Sequence, residues 1–273
     1  MKYLILWDIH WQYEKLKEIL DKHFSISDKV IFLGDYIDKN KDSLKTLDFL
    51  IELKKNNNDK VELLWWNHDI FMINSILYWD KKLFNCWFNL NNAYKTTLFD
   101  YVPWNDRVLF MDWYDEFVEE YFEKISREEY LIKLSQDLLD LWRLYYKDSK
   151  VFSIHWWLPL NIVNRNNFKH IDFYEWEWEE SLINLEKDYK KWNIKASNFF
   201  WETGRNDPTW FAWAWDYEGI NEKTFQELLW YLEVDKIFLW HRKSIKKPKF
   251  PKWDLLNCLN LWHRDIWYFH WDL

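Results

Sequence analysis

The sequence predicts an α/β fold with βαβ units around a mainly parallel sheet, from two observations. Strand-like and helix-like stretches alternate three times between Met1 and Leu64. The strand-like runs also end in polar clusters, and parallel sheets bind ligands beyond the carboxyl ends of their strands. Five such clusters follow β-branched or Leu-rich runs: Asp8-Ile9-His10, Gly34-Asp35-Tyr36-Ile37-Asp38-Lys39, Asn67-His68-Asp69, His155 and His241. Aspartate and histidine side by side at a strand end are hard or borderline ligands that suit a divalent metal.

Residues 2–7 read as the first strand. Tyr13 to Leu20 then reads as an amphipathic helix through Leu16, Ile19 and Leu20. Val30 to Leu33 is the second strand, and Leu44 to Leu53 the second helix, with Leu44, Leu47, Leu50 and Ile51 on one face. Asn56 to Asp59 is a polar turn before a third strand, Val61 to Leu64. Residues from about 70 to 148 are helix-rich and read as a cap inserted over the site, with helices at Glu116 to Lys124 and Glu128 to Tyr145. Val151 to Ile154 resumes the sheet, and residues 161–200 form a polar excursion. Phe225 to Leu232 is a helix, Lys236 to Leu239 a strand delivering His241, and Asp254 to Leu273 contains closing antiparallel strands. Asp69 is expected to cap the helix that follows it.

The 273 residues, 49% hydrophobic and 30% charged, suit one large domain with a substantial core. A net charge of -8 and a pI near 5.6 provide no global basic field for nucleic acid or an anionic membrane surface. The basic stretch from Arg242 to Lys252 reads as a solvated loop. Cys86 and Cys258 make no disulfide framework or metal-type spacing, as expected of thiols in a reducing cytoplasm. Tyr3 to Leu6 is too short for a signal-peptide core, and no apolar run approaches a membrane span.

One feature of the composition is anomalous: 24 Trp against 3 Gly. At a usage of roughly 7%, a chain of this length would hold about 19 glycines. Trp7, Trp11, Trp65, Trp66, Trp156 and Trp157 flank the polar clusters, where turns favour glycine for positive φ or close backbone approach. The expectation is that many of these positions are glycine, encoded by UGA in a bacterium that reads the codon so. Trp210, within Pro208-Thr209-Trp210-Phe211, reads as a genuine aromatic. The opposing reading is a naturally tryptophan-rich core.

With glycine at those positions and at Trp240, the clusters read Gly-Asp-Ile-His-Gly, Gly-Asp-Tyr-Ile-Asp-Lys, Gly-Asn-His-Asp, His-Gly-Gly and Gly-His. In this order they resemble the calcineurin-like metallophosphoesterases, and specifically the phosphoprotein phosphatase branch. The resemblance runs from residue 4 to 241. It implies a four-layer α/β/β/α sandwich with two central mixed β-sheets and a helical cap, in a single domain over residues 1–273. It also implies two divalent ions, manganese, iron or zinc. Asp8, His10 and Asp35 would hold the first, and Asp35, Asn67, His155 and His241 the second, with Asp35 bridging. His68 would be the general acid and Asp38 its orienting carboxylate, while Lys39 and Asn67 would bind the substrate phosphate. Lys243 stands where many relatives outside this branch have a further histidine. Lys39 replaces the usual arginine, Asn40 a glycine, and Ala212 the phosphate-binding arginine of bacterial relatives.

The resemblance implies a cytoplasmic bacterial phosphatase of phosphoserine or phosphothreonine proteins. Hydrolysis of diadenosine tetraphosphate or another small phosphoanhydride uses the same centre. A non-catalytic module that binds a phosphorylated partner is the reading of another class, suggested by Lys39 and Ala212.

Overall fold

The computed structural model describes residues 1–7, 9–10, 12–38, 42–65, 67–81, 84, 120, 122–154, 186–187, 190–191, 233–239 and 267–272. They fall into two compact units, Met1–Trp142 with Asp265–Leu273, and Arg143–Arg264.

The first unit is built on β1 (Lys2–Trp7), β2 (Lys29–Phe32) and β3 (Val61–Leu63), joined through helices α1 (Tyr13–His23) and α2 (Ser43–Asn56). The three strands are parallel in the order β3-β2-β1, as the alternation predicts. Beyond β1 the sheet gains β7 (Trp267–Asp272), antiparallel to it, with Lys2 opposite Asp272 and Trp7 opposite Trp267. Tyr3, Leu4, Ile5 and Leu6 are all fully buried, which explains why β1 is continuously apolar rather than alternating.

The predicted helical faces are the buried ones: Leu16, Ile19 and Leu20 on α1, and Leu44, Leu47, Leu50 and Ile51 on α2. Both helices run longer than their apolar periodicity, because polar last turns continue them beyond the core contacts. The Asn57 side-chain amide donates to the Leu53 carbonyl at the end of α2. Lys54, near that end, is buried. Its Nζ donates to the Val61 carbonyl at 2.6 Å and to Glu62 Oε2 at 3.1 Å, while Lys29 Nζ approaches Glu62 Oε1 at 3.5 Å. This closed network lies at the entry to β2 and β3, the end of the sheet away from the polar clusters.

After β3 comes α3 (Asn67–Leu77), which packs against α4 (Glu129–Leu141), and α4 also meets α2. The expected helix from Glu128 to Tyr145 therefore ends earlier. The Trp142 N–H donates to the Leu138 carbonyl and the Trp142 backbone is extended, so the helix stops there.

Tyr145 instead opens β4 (Tyr145–Lys147), in the second unit, antiparallel to β5 (Val151–Ile154). The chemistry of the connecting turn decides this. Asp148 Oδ1 accepts the N–H groups of Lys150 and Val151 at 2.8 Å, and Asp148 Oδ2 accepts the Tyr146 hydroxyl at 2.6 Å. An aspartate folding its own backbone back two and three residues on makes a turn, not a helix. β5 pairs in parallel with β6 (Lys236–Leu239), giving a three-stranded mixed sheet. The expected helices at Glu116 to Lys124 and Phe225 to Leu232 lie largely or wholly outside the described residues, as does most of the stretch 161–200.

Candidate active site

His10, Asp35, Asp38 and His68 follow the carboxyl ends of β1, β2 and β3, three neighbours in one parallel sheet. Hydrogen bonds between the loops bring them together. The His10 N–H donates to the Asp35 carbonyl at 2.6 Å, and His10 Nδ1 lies 2.7 Å from the Ile37 carbonyl. A carbonyl can only accept, so Nδ1 carries the proton and Nε2 keeps its lone pair in the neutral ring. That nitrogen sits 3.6 Å from Asp35 Oδ2, with both residues buried.

His10, Asp35 and Asp38 all have left-handed backbones, with φ of 42°, 58° and 71°. Asp and His tolerate this region better than most residues, at a cost of roughly 1 kcal/mol or more each. Gly34, at φ 109°, occupies a conformation open only to glycine. The strain is concentrated where the chemical side chains are presented.

Asp38 and His68 form the second half of the cluster. His68 Nδ1 hydrogen-bonds Asp38 Oδ2 directly, with the carboxylate fully buried and the imidazole 15% exposed. A buried carboxylate needs such a donor, since an unpaired one is costly. With Nδ1 held by Asp38, Nε2 is the ring nitrogen free to act on a substrate. The His10 and His68 rings meet edge to face at 5.8 Å between centroids. The Asp38–His68 pair and the His10–Asp35 pair are therefore adjacent.

The tethers were not anticipated from the sequence. The Tyr36 hydroxyl lies 2.8 Å from the Phe32 carbonyl and 3.0 Å from the Leu64 carbonyl, and accepts the Leu64 N–H at 3.2 Å. Burial first, and then the Asp69 carboxylate, holds the Tyr36 phenol well above its ordinary value, so it stays a donor. Its ring packs against Trp142 at 4.9 Å. The Ser43 hydroxyl donates to the Asp38 carbonyl at 3.0 Å. No periodicity signals these hydrogen bonds, because each joins a side chain to a backbone group.

His10 and Asp35 suit a divalent metal: an imidazole with its far nitrogen engaged and its near nitrogen facing a carboxylate is a usual ligand pairing. Among the described residues no group of three such side chains gathers. Asp8, Lys39, His155 and His241 lie outside the described residues. Asn67 is the first residue of α3, and its side chain is also outside them.

Asp69 is not the residue before the helix. It occupies the first turn of α3, fully buried, where a carboxylate favours the positive end of the helix dipole.

Trp7 closes β1 and Trp65 follows β3, both buried and neither at positive φ. Trp11, Trp66, Trp156 and Trp157 lie outside the described residues. Trp79, which the sequence did not single out, has a left-handed backbone at φ 54° and is half exposed.

Residues 1–263 match the calcineurin-like phosphoesterase family. The fold also matches a cold-active protein-tyrosine phosphatase from a psychrophilic Shewanella species, at 17% identity and a TM-score of 0.50, covering 88% of this chain and 65% of that one. A further structure described as a cold-active protein tyrosine phosphatase matches at 15% identity and a TM-score of 0.50, covering 89% of this chain and 64% of that one. This chain thus spans less than two thirds of the length of these structures. A Saccharomyces cerevisiae protein serine/threonine phosphatase aligns more loosely, at 13% identity and a TM-score of 0.42, covering 89% of this chain and 62% of that one. The family match extends over nearly the whole sequence, and the chain belongs to the calcineurin-like phosphoesterases, hydrolases of phosphoesters whose members generally bind divalent metal ions.

Proposed function

We propose that the chain is a phosphoprotein phosphatase that hydrolyses phosphoserine or phosphothreonine at a two-metal centre. The observation that carries this reading is the buried Asp38–His68 pair beside His10 and Asp35. The ligands are Asp8, His10 and Asp35 for one ion, and Asp35, Asn67, His155 and His241 for the other, with manganese, iron or zinc as the metals. Two such ions supply an activated water and neutralise the phosphoryl oxygens.

The protein's own groups complete the reaction. Lys39 and Asn67 hold the phosphate oxygens. His68, protonated on both nitrogens, gives its Nε2 proton to the leaving alkoxide as the P–O bond breaks, and a water oxygen takes that bond's place at phosphorus. Asp38 fixes the ring so that Nε2 points to the leaving oxygen. Residues about 70–148 serve as the cap of a single cytoplasmic domain.

The same reading extends to the tryptophans. Trp7, Trp11, Trp65, Trp66, Trp156 and Trp157 are glycine in the host, the residue that suits chain beside such polar clusters. Trp79, with its positive φ, is the described position best suited to the same exchange. Peptide mass spectrometry on protein from the native host, covering Val61 to Lys81, tests this; glycine at positions 65 and 66 is expected, and tryptophan at both would sink it.

The function is tested by phosphate release from phosphoserine, phosphothreonine and phosphotyrosine peptides and from diadenosine tetraphosphate. The name of the Shewanella protein is the reason to include phosphotyrosine. Preferred turnover of the phosphoserine and phosphothreonine peptides is expected; preference for the dinucleotide would move the assignment to phosphoanhydrides.

A further inference from the structure

The Asp38–His68 pair joins two loops that nothing in the covalent chain holds together, and a single hydroxyl lies between their roots. Tyr36 sits between Asp35 and Asp38 in sequence, yet its side chain turns back towards the sheet and is fully buried. Its oxygen reaches the Phe32 carbonyl, in the last residue of β2, and both the carbonyl and the N–H of Leu64, directly after β3. The Leu64 N–H also donates to the Phe32 carbonyl at 2.9 Å. The phenol therefore closes the last rung of the β2–β3 ladder. Three residues beyond Leu64 the chain enters α3, whose second residue is His68, and six beyond Phe32 it reaches Asp38.

We propose that Tyr36 is a positioning residue for the general acid, its hydroxyl setting the separation of the two loops so that Asp38 meets His68 Nδ1. The inference rests on the reading of His68 as the general acid. Trp142 packs on the Tyr36 ring and restricts its tilt. Ser43 completes the clamp from the other side, by donating to the Asp38 carbonyl.

The discriminating property is leaving-group dependence. A serine alkoxide needs a proton as it departs, whereas p-nitrophenolate is a stable anion and needs none. Disorder of the acid alone slows the first substrate and spares the second. General damage to the fold or to the ligand set slows both.

The experiment compares Tyr36→Phe and His68→Ala with the parent chain on a phosphoserine peptide and on p-nitrophenyl phosphate, with metal content measured in each. For Tyr36→Phe the expected result is a loss of about tenfold in kcat on the peptide, with KM, metal content and p-nitrophenyl phosphate turnover within about twofold. In proton NMR of the metal-free protein, the downfield Nδ1 proton of His68, identified by its absence in His68→Ala, should shift or broaden in Tyr36→Phe. Equal losses on both substrates, or an unmoved Nδ1 proton, overturn the inference. If His68→Ala itself spares the peptide, the general-acid reading fails first and takes this one with it. If only Tyr36→Phe spares it, the acid stands and the positioning role falls. Should Tyr36→Phe not fold, the parent chain still decides: a slowly exchanging Tyr36 hydroxyl proton, with an Overhauser contact to the Leu64 amide, is required, and a freely exchanging one overturns the proposal.

Discussion

His68 Nδ1 and Asp38 Oδ2 are in direct hydrogen-bond contact across two loops of the first unit, with the carboxylate wholly removed from solvent. An exposed pair of this kind would be interchangeable with water. A buried one holds the imidazole in a single orientation, with Nε2 turned away from the protein's own carboxylate.

Removing the imidazole therefore has a defined consequence. His68→Ala should lower kcat on a phosphoserine peptide by about 10²- to 10³-fold with bound metal unchanged, since general acids contribute on that scale. Asp38→Asn should fall between the variant and the parent, because an amide still accepts from Nδ1 but carries no charge. Steady-state kinetics with metal analysis checks both.

Two tryptophans should respond with opposite signs. Trp79 holds φ 54°, a region that costs a residue with a Cβ roughly 1–2 kcal/mol, so Trp79→Gly should raise stability by about 1 kcal/mol. Trp142 is fully buried against Tyr36, and Trp142→Gly should cost about 3–5 kcal/mol through the cavity it leaves. Trp142→Phe should be much milder, since the indole N–H has no hydrogen-bond partner among the described residues. Urea unfolding of the three variants measures the contrast.

The sequence carried the parallel arrangement of β1, β2 and β3 and the buried faces of α1 and α2, while the family resemblance implied the pairing of Asp38 with His68. Strand alternation and the spacing of Leu44, Leu47, Leu50 and Ile51 are local signals, and local signals survive into the fold. The end of α4 was not legible in the same way. Helical apolar spacing ran on through Tyr145, but Asp148 folded the backbone into a hairpin, and a side chain–backbone bond leaves no period. Tyr36 was hidden for the same reason: its partners are carbonyls and an amide, which every residue has. The tryptophan expectation was drawn from turn chemistry, and two of its residues, Trp7 in β1 and Trp65 after β3, are not at positive φ. Trp79, in left-handed backbone, lies past the end of α3, where no cluster drew attention to it.

The hairpin itself can be tested through its turn. Asp148→Ala removes the one oxygen that accepts two N–H groups and the partner of the Tyr146 hydroxyl, and should destabilise the β4–β5 pair by about 1–3 kcal/mol. Amide exchange of Val151 should accelerate in step, while that of Leu4 in β1 should not change.

Lys54 and Glu62 show how a buried ion pair behaves when broken. Lys54→Met leaves Glu62 with only Lys29, at 3.5 Å, and should cost about 3 kcal/mol. Adding Glu62→Leu should recover most of that loss, because an apolar pair of similar volume needs no desolvated charge. Denaturant midpoints of the single and double variants give the comparison.

The central claim is that hydrolysis depends on a two-metal centre to which Asp35 contributes. Its most direct test is to strip the protein with a chelator, restore it with Mn²⁺, and follow bound metal and phosphate release from a phosphoserine peptide together. The account predicts that turnover disappears on stripping and returns with two ions per chain, and that Asp35→Asn binds fewer ions and stays inactive. Full turnover by the stripped protein, or by Asp35→Asn, would contradict it.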